Sequence, residues 1–355
     1  MTTNSHDKIQ KNEEKEFNIF KKERPNVLFL GNGIHRAFGN SSWDDFLDQI
    51  KSSTKFTHNS WEYDMPMSLK ASMLSENELD KRIRNNIYNN SKNIPFRNSL
   101  FSSTSDERDM INHLVDLGFD YVITTNYSYE IECSFLQKGL FKVGEEKDIA
   151  RLQNHYEVKK AQSKYLINTF NEVNSKPPIW HIHGEARKPG SIIIGQDKYG
   201  RLLSRYIDRL TKSNSWYNSV IYNINNKNPQ KIGSWIDAFV LGDVYIIGFG
   251  FDFSEIDLWW LLEYKSNFTC KNDPSYKGNT FFFEPIKNNA YSCIYDSLTK
   301  CNNKPIIVSR NDCKLKLMEI YNVKVNPNIG NKNINNNYQY KDFYNDVYNT
   351  IKKII

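Results

Sequence analysis

The sequence predicts an α/β protein built on a doubly wound, mostly parallel sheet with helical insertions. Two observations carry this. Short, continuously apolar runs alternate with stretches of helical periodicity along the 355 residues, the pattern of strands covered on both faces. Several of those runs also end abruptly at glycine or at a polar motif, where an open α/β sheet places its ligands.

The elements follow in order. Residues 1–24 read as a charged leader. Leu28 to Leu30 is a buried strand ending at Gly31. Ser41 or Ser42 can cap a helix carrying Trp43, Phe46, Leu47 and Ile50, with Asp44 and Asp45 in its first turn. Residues 55–100 read as a partly helical insertion. Thr104-Ser105-Asp106-Glu107 has the spacing of a capping box, and its helix, with Met110, Ile111 and Leu114, stops at Gly118. Tyr121 to Thr124 is the next strand and ends at Asn126. A Lys-, Glu- and Asn-rich helical insertion spans 136–176. Strands are expected at Ile179–His183 and Ser191–Ile194, then helix over 197–240, broken by polar Asn223–Gln230.

Val244 to Ile247 is another buried strand, closed by Gly248-Phe249-Gly250. Ser254 is the expected cap of the following helix, with Glu255 and Asp257 in its first turn. Phe281–Phe283 and Pro305–Val308 read as two more strands, each followed by a helical pattern. Residues 326–355 comprise an asparagine-rich loop and an amphipathic helix with Phe343, Val347 and Ile351 at four-residue steps.

Composition narrows the function classes. No apolar run is long enough to span a bilayer, and residues 1–16 lack the apolar stretch of a signal peptide. A cytoplasmic location and no membrane partner are the expectation. The net charge of +6 mixes both signs without an arginine-rich stripe, so direct nucleic-acid binding is not expected. The five cysteines, Cys133, Cys270, Cys293, Cys301 and Cys313, never form a CxxC pair, which fits a reducing compartment and argues against a structural zinc ribbon.

Four motifs carry candidate chemistry. Gly31-Asn32-Gly33 is a strand-to-helix turn without side-chain bulk, suited to backbone N–H groups approaching a phosphate or serving simply as a tight turn. The third glycine of a dehydrogenase fingerprint is replaced by Arg36. Thr124-Thr125-Asn126 ends a strand, and Asn126 is either a turn residue or an amide aimed at a ribose. His181 and His183 lie two apart on one strand and so share a face. Three readings stay open for them: a metal pair with Glu185 as the closest third ligand, packed core histidines, or His183 as a general base beside Gly184. Gly248-Phe249-Gly250 is a second glycine turn, and Asp257 beyond it is either a ribose contact or an ordinary first-turn acid. Together a phosphate turn, a ribose amide and a histidine base suit a dinucleotide whose glycosidic bond is to be broken.

These runs, in this order, resemble the Sir2-like (sirtuin-fold) family, and most of all its bacterial antiphage-defence branch that hydrolyses NAD. They are Val27 to Gly33, Tyr121 to Tyr127, Trp180 to Gly184 and Ile246 to Phe251. The resemblance implies a Rossmann-like catalytic domain over 25–325 with helical insertions near 55–100, 136–176 and 197–240. It places Asn126 and His183 as catalytic residues. It places Gly31, Asn32, Gly33, Thr125, Gly248, Phe249, Gly250 and Asp257 against the cofactor. The chain departs from deacetylating sirtuins: it lacks their paired CxxC zinc module, and Tyr127-Ser128 stand where an aspartate follows their asparagine motif.

The expectation is therefore an NAD+ glycohydrolase releasing nicotinamide and ADP-ribose, with NAD+ as substrate and no metal. The alternative is a non-catalytic NAD- or ADP-ribose-binding subunit. Because unchecked hydrolysis would drain the cell's NAD+, activity is expected to depend on a homo-oligomer or on a separately encoded regulator, an ATPase or nucleotide-handling protein by family analogy.

Overall fold

The computed structural model describes residues 24–34, 67–73, 105–127, 131, 179–184, 192–211, 234–268, 278–287, 292–294, 307–326, 329, 333–334 and 340–355. The expected helix from Ser41, the insertion at 136–176, the polar break at 223–230, and most of the leader and of the 55–100 insertion lie outside the described residues.

The strands are β1 (Asn26–Leu30), β2 (Tyr121–Thr124), β3 (Ile179–His181), β4 (Asp243–Ile247), β5 (Thr280–Phe283), β6 (Ile286–Lys287), β7 (Ser292–Ile294), β8 (Ile307–Ser309), β9 (Val323–Val325) and β10 (Asn333–Ile334). The helices are α1 (Met67–Met73), α2 (Ser105–Val115), α3 (Gln196–Thr211), α4 (Trp235–Leu241), α5 (Ile256–Asn267), α6 (Arg310–Ile320) and α7 (Tyr340–Ile354). Six strands form one sheet in the order β3-β2-β1-β4-β5-β9, and every pairing in it is parallel. This is the doubly wound, Rossmann-like architecture the sequence predicts. Two-stranded sheets β10-β6 and β7-β8 accompany it.

The strands read as continuous apolar runs because the sheet is buried on both faces. In β1, Val27 and Phe29 point into one core and Leu28 and Leu30 into the other, as the two-residue repeat demands. The first core is filled by α3, α4 and α5, with Tyr206, Trp235, Phe239 and Leu258. The second is filled by α2 and α7, with Met110, Leu114, Phe343, Val347 and Ile351. The amphipathic C-terminal helix thus spends its apolar stripe on the sheet. Among the described residues, no helix is long and apolar enough to cross a membrane.

Four sequence expectations shift. The third strand ends at His181, not His183: Gly184 N–H bonds the His181 carbonyl at 3.1 Å and turns the chain. Residues 192–194 are buried but unpaired as a strand, held instead by Ile193 N–H on the His183 carbonyl at 2.8 Å. Ser254 does not cap α5. Its N–H closes a turn on Asp252 Oδ1 at 2.9 Å, and Glu255 occupies the cap position without a side-chain capping bond. Finally, the described part of the run expected at 305–308 belongs to β8 (Ile307–Ser309), which pairs with β7. The sixth strand of the main sheet is Val323–Val325, too short and too polar in the middle to stand out.

Because β1 lies between β2 and β4, the crossovers leave it in opposite directions. That makes the carboxyl end of β1 the switch point of the sheet, the place where open α/β sheets bind their ligands.

Candidate functional site

The candidate site is built by the segments that follow β1, β2, β3 and β4. At the end of β2, Thr124 donates its hydroxyl to the Leu30 carbonyl at 2.8 Å and receives the Asn126 N–H at 3.0 Å. One threonine therefore ties the end of β1 to the start of the asparagine turn. The Asn126 carbonyl is 2.7 Å from Nδ1 of His181, which makes that nitrogen the proton donor. Backbone, threonine and histidine thus hold Asn126 rigidly. Its side chain is different: both amide atoms are buried without a hydrogen-bond partner among the described residues, in a residue only 6 % exposed. Thr125 beside it is buried as well.

The two glycine turns meet each other. Gly31 N–H bonds the Ile247 carbonyl at 2.9 Å and Gly33 N–H bonds the Gly248 carbonyl at 2.5 Å. A Cβ at Gly31 would stand 2.6 Å from both the Gly248 carbonyl oxygen and the Phe249 Cα, and one at Gly33 would stand 2.6 Å from the same oxygen. These glycines are needed because the chain leaving β4 crosses directly over the end of β1. Gly248 makes the crossing at φ +64°. Asn32, between the two glycines, is half-buried. Gly250, one step further along, faces open space, and its carbonyl accepts a hydrogen bond from Lys314 Nζ at 2.9 Å.

That crossing brings distant residues together. β3 and β4 lie three strands apart, about 14 Å at the usual spacing, yet the segment after β4 reaches the segment after β3. His183 Nε2 is 3.2 Å from Asp257 Oδ2, and His183 Nδ1 is 3.9 Å from Glu255 Oε2. Tyr206 of α3 donates its hydroxyl to the same Asp257 oxygen at 3.1 Å. Tyr199 of α3 sets its ring edge-on to His183 at 5.3 Å. Tyr127 donates to the Ile193 carbonyl at 3.0 Å. His181 and His183 therefore have different partners: one fastens Asn126, the other faces the acids.

Burial works to lower the His183 pKa, but the Asp257 hydrogen bond, the Asp257 charge and the Glu255 charge outweigh it, leaving the imidazole above its usual 6.5. Burial pushes the Glu255 carboxyl up to about 7, with His183 opposing and Asp257 adding to the shift. Burial and then the adjacent carboxylates hold the Tyr199 and Tyr206 hydroxyls well above their usual range, so both remain donors.

The expectation of a site without metal is corrected here. His183, Glu255 and Asp257 each offer one ligand atom, all within 4.8 Å of one another, a group that can hold a metal ion. The metal reading of the sequence paired His181 with His183 and looked to Glu185, which lies outside the described residues; in the structure His181 is turned to the Asn126 carbonyl, and the two groups beside His183 are Glu255 and Asp257, more than 70 positions downstream. Glu255, Tyr199 and Tyr206 were not legible as site residues. The available signal was an acid at 255 and another at 257, directly after a glycine turn.

With this geometry in hand, residues 120–252 match the family of SIR2-like domains. A SIR2-like domain is present. The match takes in β2, Asn126, His183 and the Gly248–Gly250 turn, and stops short of Glu255 and Asp257. No curated protein matches the chain.

Proposed function

We propose that this protein is an NAD+ glycohydrolase that releases nicotinamide and ADP-ribose. The SIR2-like domain points to NAD-related enzymatic activity. The observation that carries the finer reading is Asn126: a buried amide with neither atom bonded costs stability unless a ligand completes it. A ribose offers hydroxyls that both donate and accept, which is what an amide needs.

The chemistry asks little more of the site. Nicotinamide in NAD+ is already cationic and leaves as a neutral molecule, so no proton need be delivered to it. The site must hold the ribose, stabilise an oxocarbenium-like transition state and activate a water. Asn126 holds and orients the ribose, and the His183 group activates the water. The glycine turns and Thr125 follow the ends of β1, β4 and β2 and are the proposed cofactor contacts, with Asn32, Phe249 and Gly250.

The test is to incubate the purified full chain with NAD+, alone and with the products of its neighbouring genes, and to identify products by mass. Nicotinamide and ADP-ribose in equal amounts are expected. Saturable NAD+ binding with unchanged nucleotide would favour the non-catalytic subunit instead. The resemblance to antiphage effectors supports a role in abortive infection, with activity released through a partner or self-assembly. Light scattering of the chain and pull-down from cells carrying its native operon test that. A monomer hydrolysing NAD+ at full rate without any partner would refute it.

A further inference from the structure

Among the described residues, two carboxylates face the single imidazole of His183. Glu255 precedes α5 and Asp257 lies in its first turn, and both turn toward the same imidazole. Among the described residues, His183 is the only cationic partner of either carboxylate. Asp257 is fully buried. Its Oδ1 and the Oε2 of Glu255 are both sealed from solvent, with no hydrogen-bond partner among the described residues. Buried carboxylate oxygens left bare in this way are costly unless a positive charge completes them.

The donor set says what charge would fit. One imidazole nitrogen and two carboxylate oxygens lie within 4.8 Å of one another, a span that a single ion with bonds of about 2.0–2.2 Å can bridge with small side-chain adjustments. Imidazole suits zinc and other transition metals, and carboxylates suit manganese. Three protein ligands leave positions for water, as in catalytic rather than structural sites. Tyr206 on Asp257 is an outer hydrogen bond of the kind that fixes a ligating carboxylate.

We infer that His183, Glu255 and Asp257 form a binding site for one divalent transition-metal ion of the Mn2+ or Zn2+ class. The ion's part in catalysis rests on the NAD+ reading. There it lowers the pKa of a water. The water oxygen bonds C1′ of the ribose and its proton passes through a site carboxylate to solvent. The C1′–N bond breaks with its electron pair going to the departing nicotinamide.

The experiment is a Mn2+ titration of chelator-treated, dialysed full chain, followed by electron paramagnetic resonance. One bound Mn2+ per chain is expected, with pulsed spectra showing modulation by an imidazole nitrogen. Glu255→Gln and Asp257→Asn should each weaken binding at least tenfold, with circular dichroism confirming that they fold. The wild-type nitrogen signal serves if a variant does not fold. A folded wild type that binds neither Mn2+ nor Zn2+ overturns the site, as does undiminished binding in both folded variants. In that event a proton on Glu255 is the neutralising charge. The two readings fail separately: full NAD+ cleavage by chelated protein removes the ion from the chemistry, whereas a bound ion with no cleavage under any condition refutes the NAD+ reading alone.

Discussion

Asp257 holds His183 from 74 positions away: its Oδ2 is 3.2 Å from the imidazole Nε2 and is shared with the Tyr206 hydroxyl. The contact exists only because the chain after β4 folds back across the sheet. It also means that His183 acts as a member of a group.

His183→Ala should therefore remove turnover, by a factor of about 100 to 10,000 for a group handling the water's proton, while NAD+ affinity changes little. Asp257→Asn should lower the rate in the same direction through a misplaced ring. Steady-state kinetics and calorimetric NAD+ binding on each variant check this. A His183→Ala enzyme of wild-type rate would eliminate His183 from the mechanism.

Asn126→Ala separates activity from stability. The amide makes no hydrogen bond among the described residues, so its removal forfeits none there, and relieving an unsatisfied buried amide is worth about 1–3 kcal/mol. The variant should melt at or above the wild-type temperature yet lose most of its kcat, because the amide acts mainly on the reacting ribose. Paired melting curves and kinetics decide. A raised KM with kcat preserved would make Asn126 a binding residue only.

The glycine crossing predicts a sharp contrast between neighbours. Gly33→Ala drives a methyl to within 2.6 Å of the Gly248 carbonyl oxygen, whereas Gly250→Ala meets nothing within 4 Å. Overpacking of this kind costs about 1–3 kcal/mol. Urea denaturation should show Gly33→Ala clearly destabilised and Gly250→Ala near wild type. Equal stabilities would mean that the turns are not in contact.

In chelated protein, stability should depend on pH through Glu255. Its folded carboxyl keeps its proton to about pH 7, against an ordinary value of 4.5. Between those values the folded state binds more protons than the unfolded, so this contribution is complete below pH 4.5 and is lost as pH rises through about 7. His183, also raised, has the same sign. Denaturation across pH 4.5 to 8 should show a wild-type slope that Glu255→Gln flattens. An unchanged slope in that variant would refute the assignment.

The doubly wound sheet was readable because burial on both faces writes itself into the chain as unbroken runs such as Val27 to Leu30. Asn126 and His183 were legible as candidates because each closes such a run. Glu255 and Asp257 were not legible as partners of His183. An acid at the start of a helix is favoured by the helix dipole alone, and nothing local reveals which side chain it will face. The sixth strand escaped for a similar reason: Val323-Lys324-Val325 has one residue exposed between two apolar ones, indistinguishable from a loop until β5 pairs with it. The end of β3 was misjudged because apolar Ile182 prolongs the run, although the chain already turns at Gly184.

The register of the central pair carries a consequence for biosynthesis. Asn26 aligns with Asp243 and Leu30 with Ile247, so β1 leaves the ribosome more than 200 residues before the neighbour that covers one of its two edges. At about 5–20 residues per second, an apolar strand waits on the order of ten seconds or more with unpaired N–H and C=O groups, the condition that invites association between nascent chains. Yield of native protein should therefore rise with slower initiation or with chaperone supply at unchanged thermodynamic stability. Fragments truncated before residue 243 should precipitate where the full chain does not.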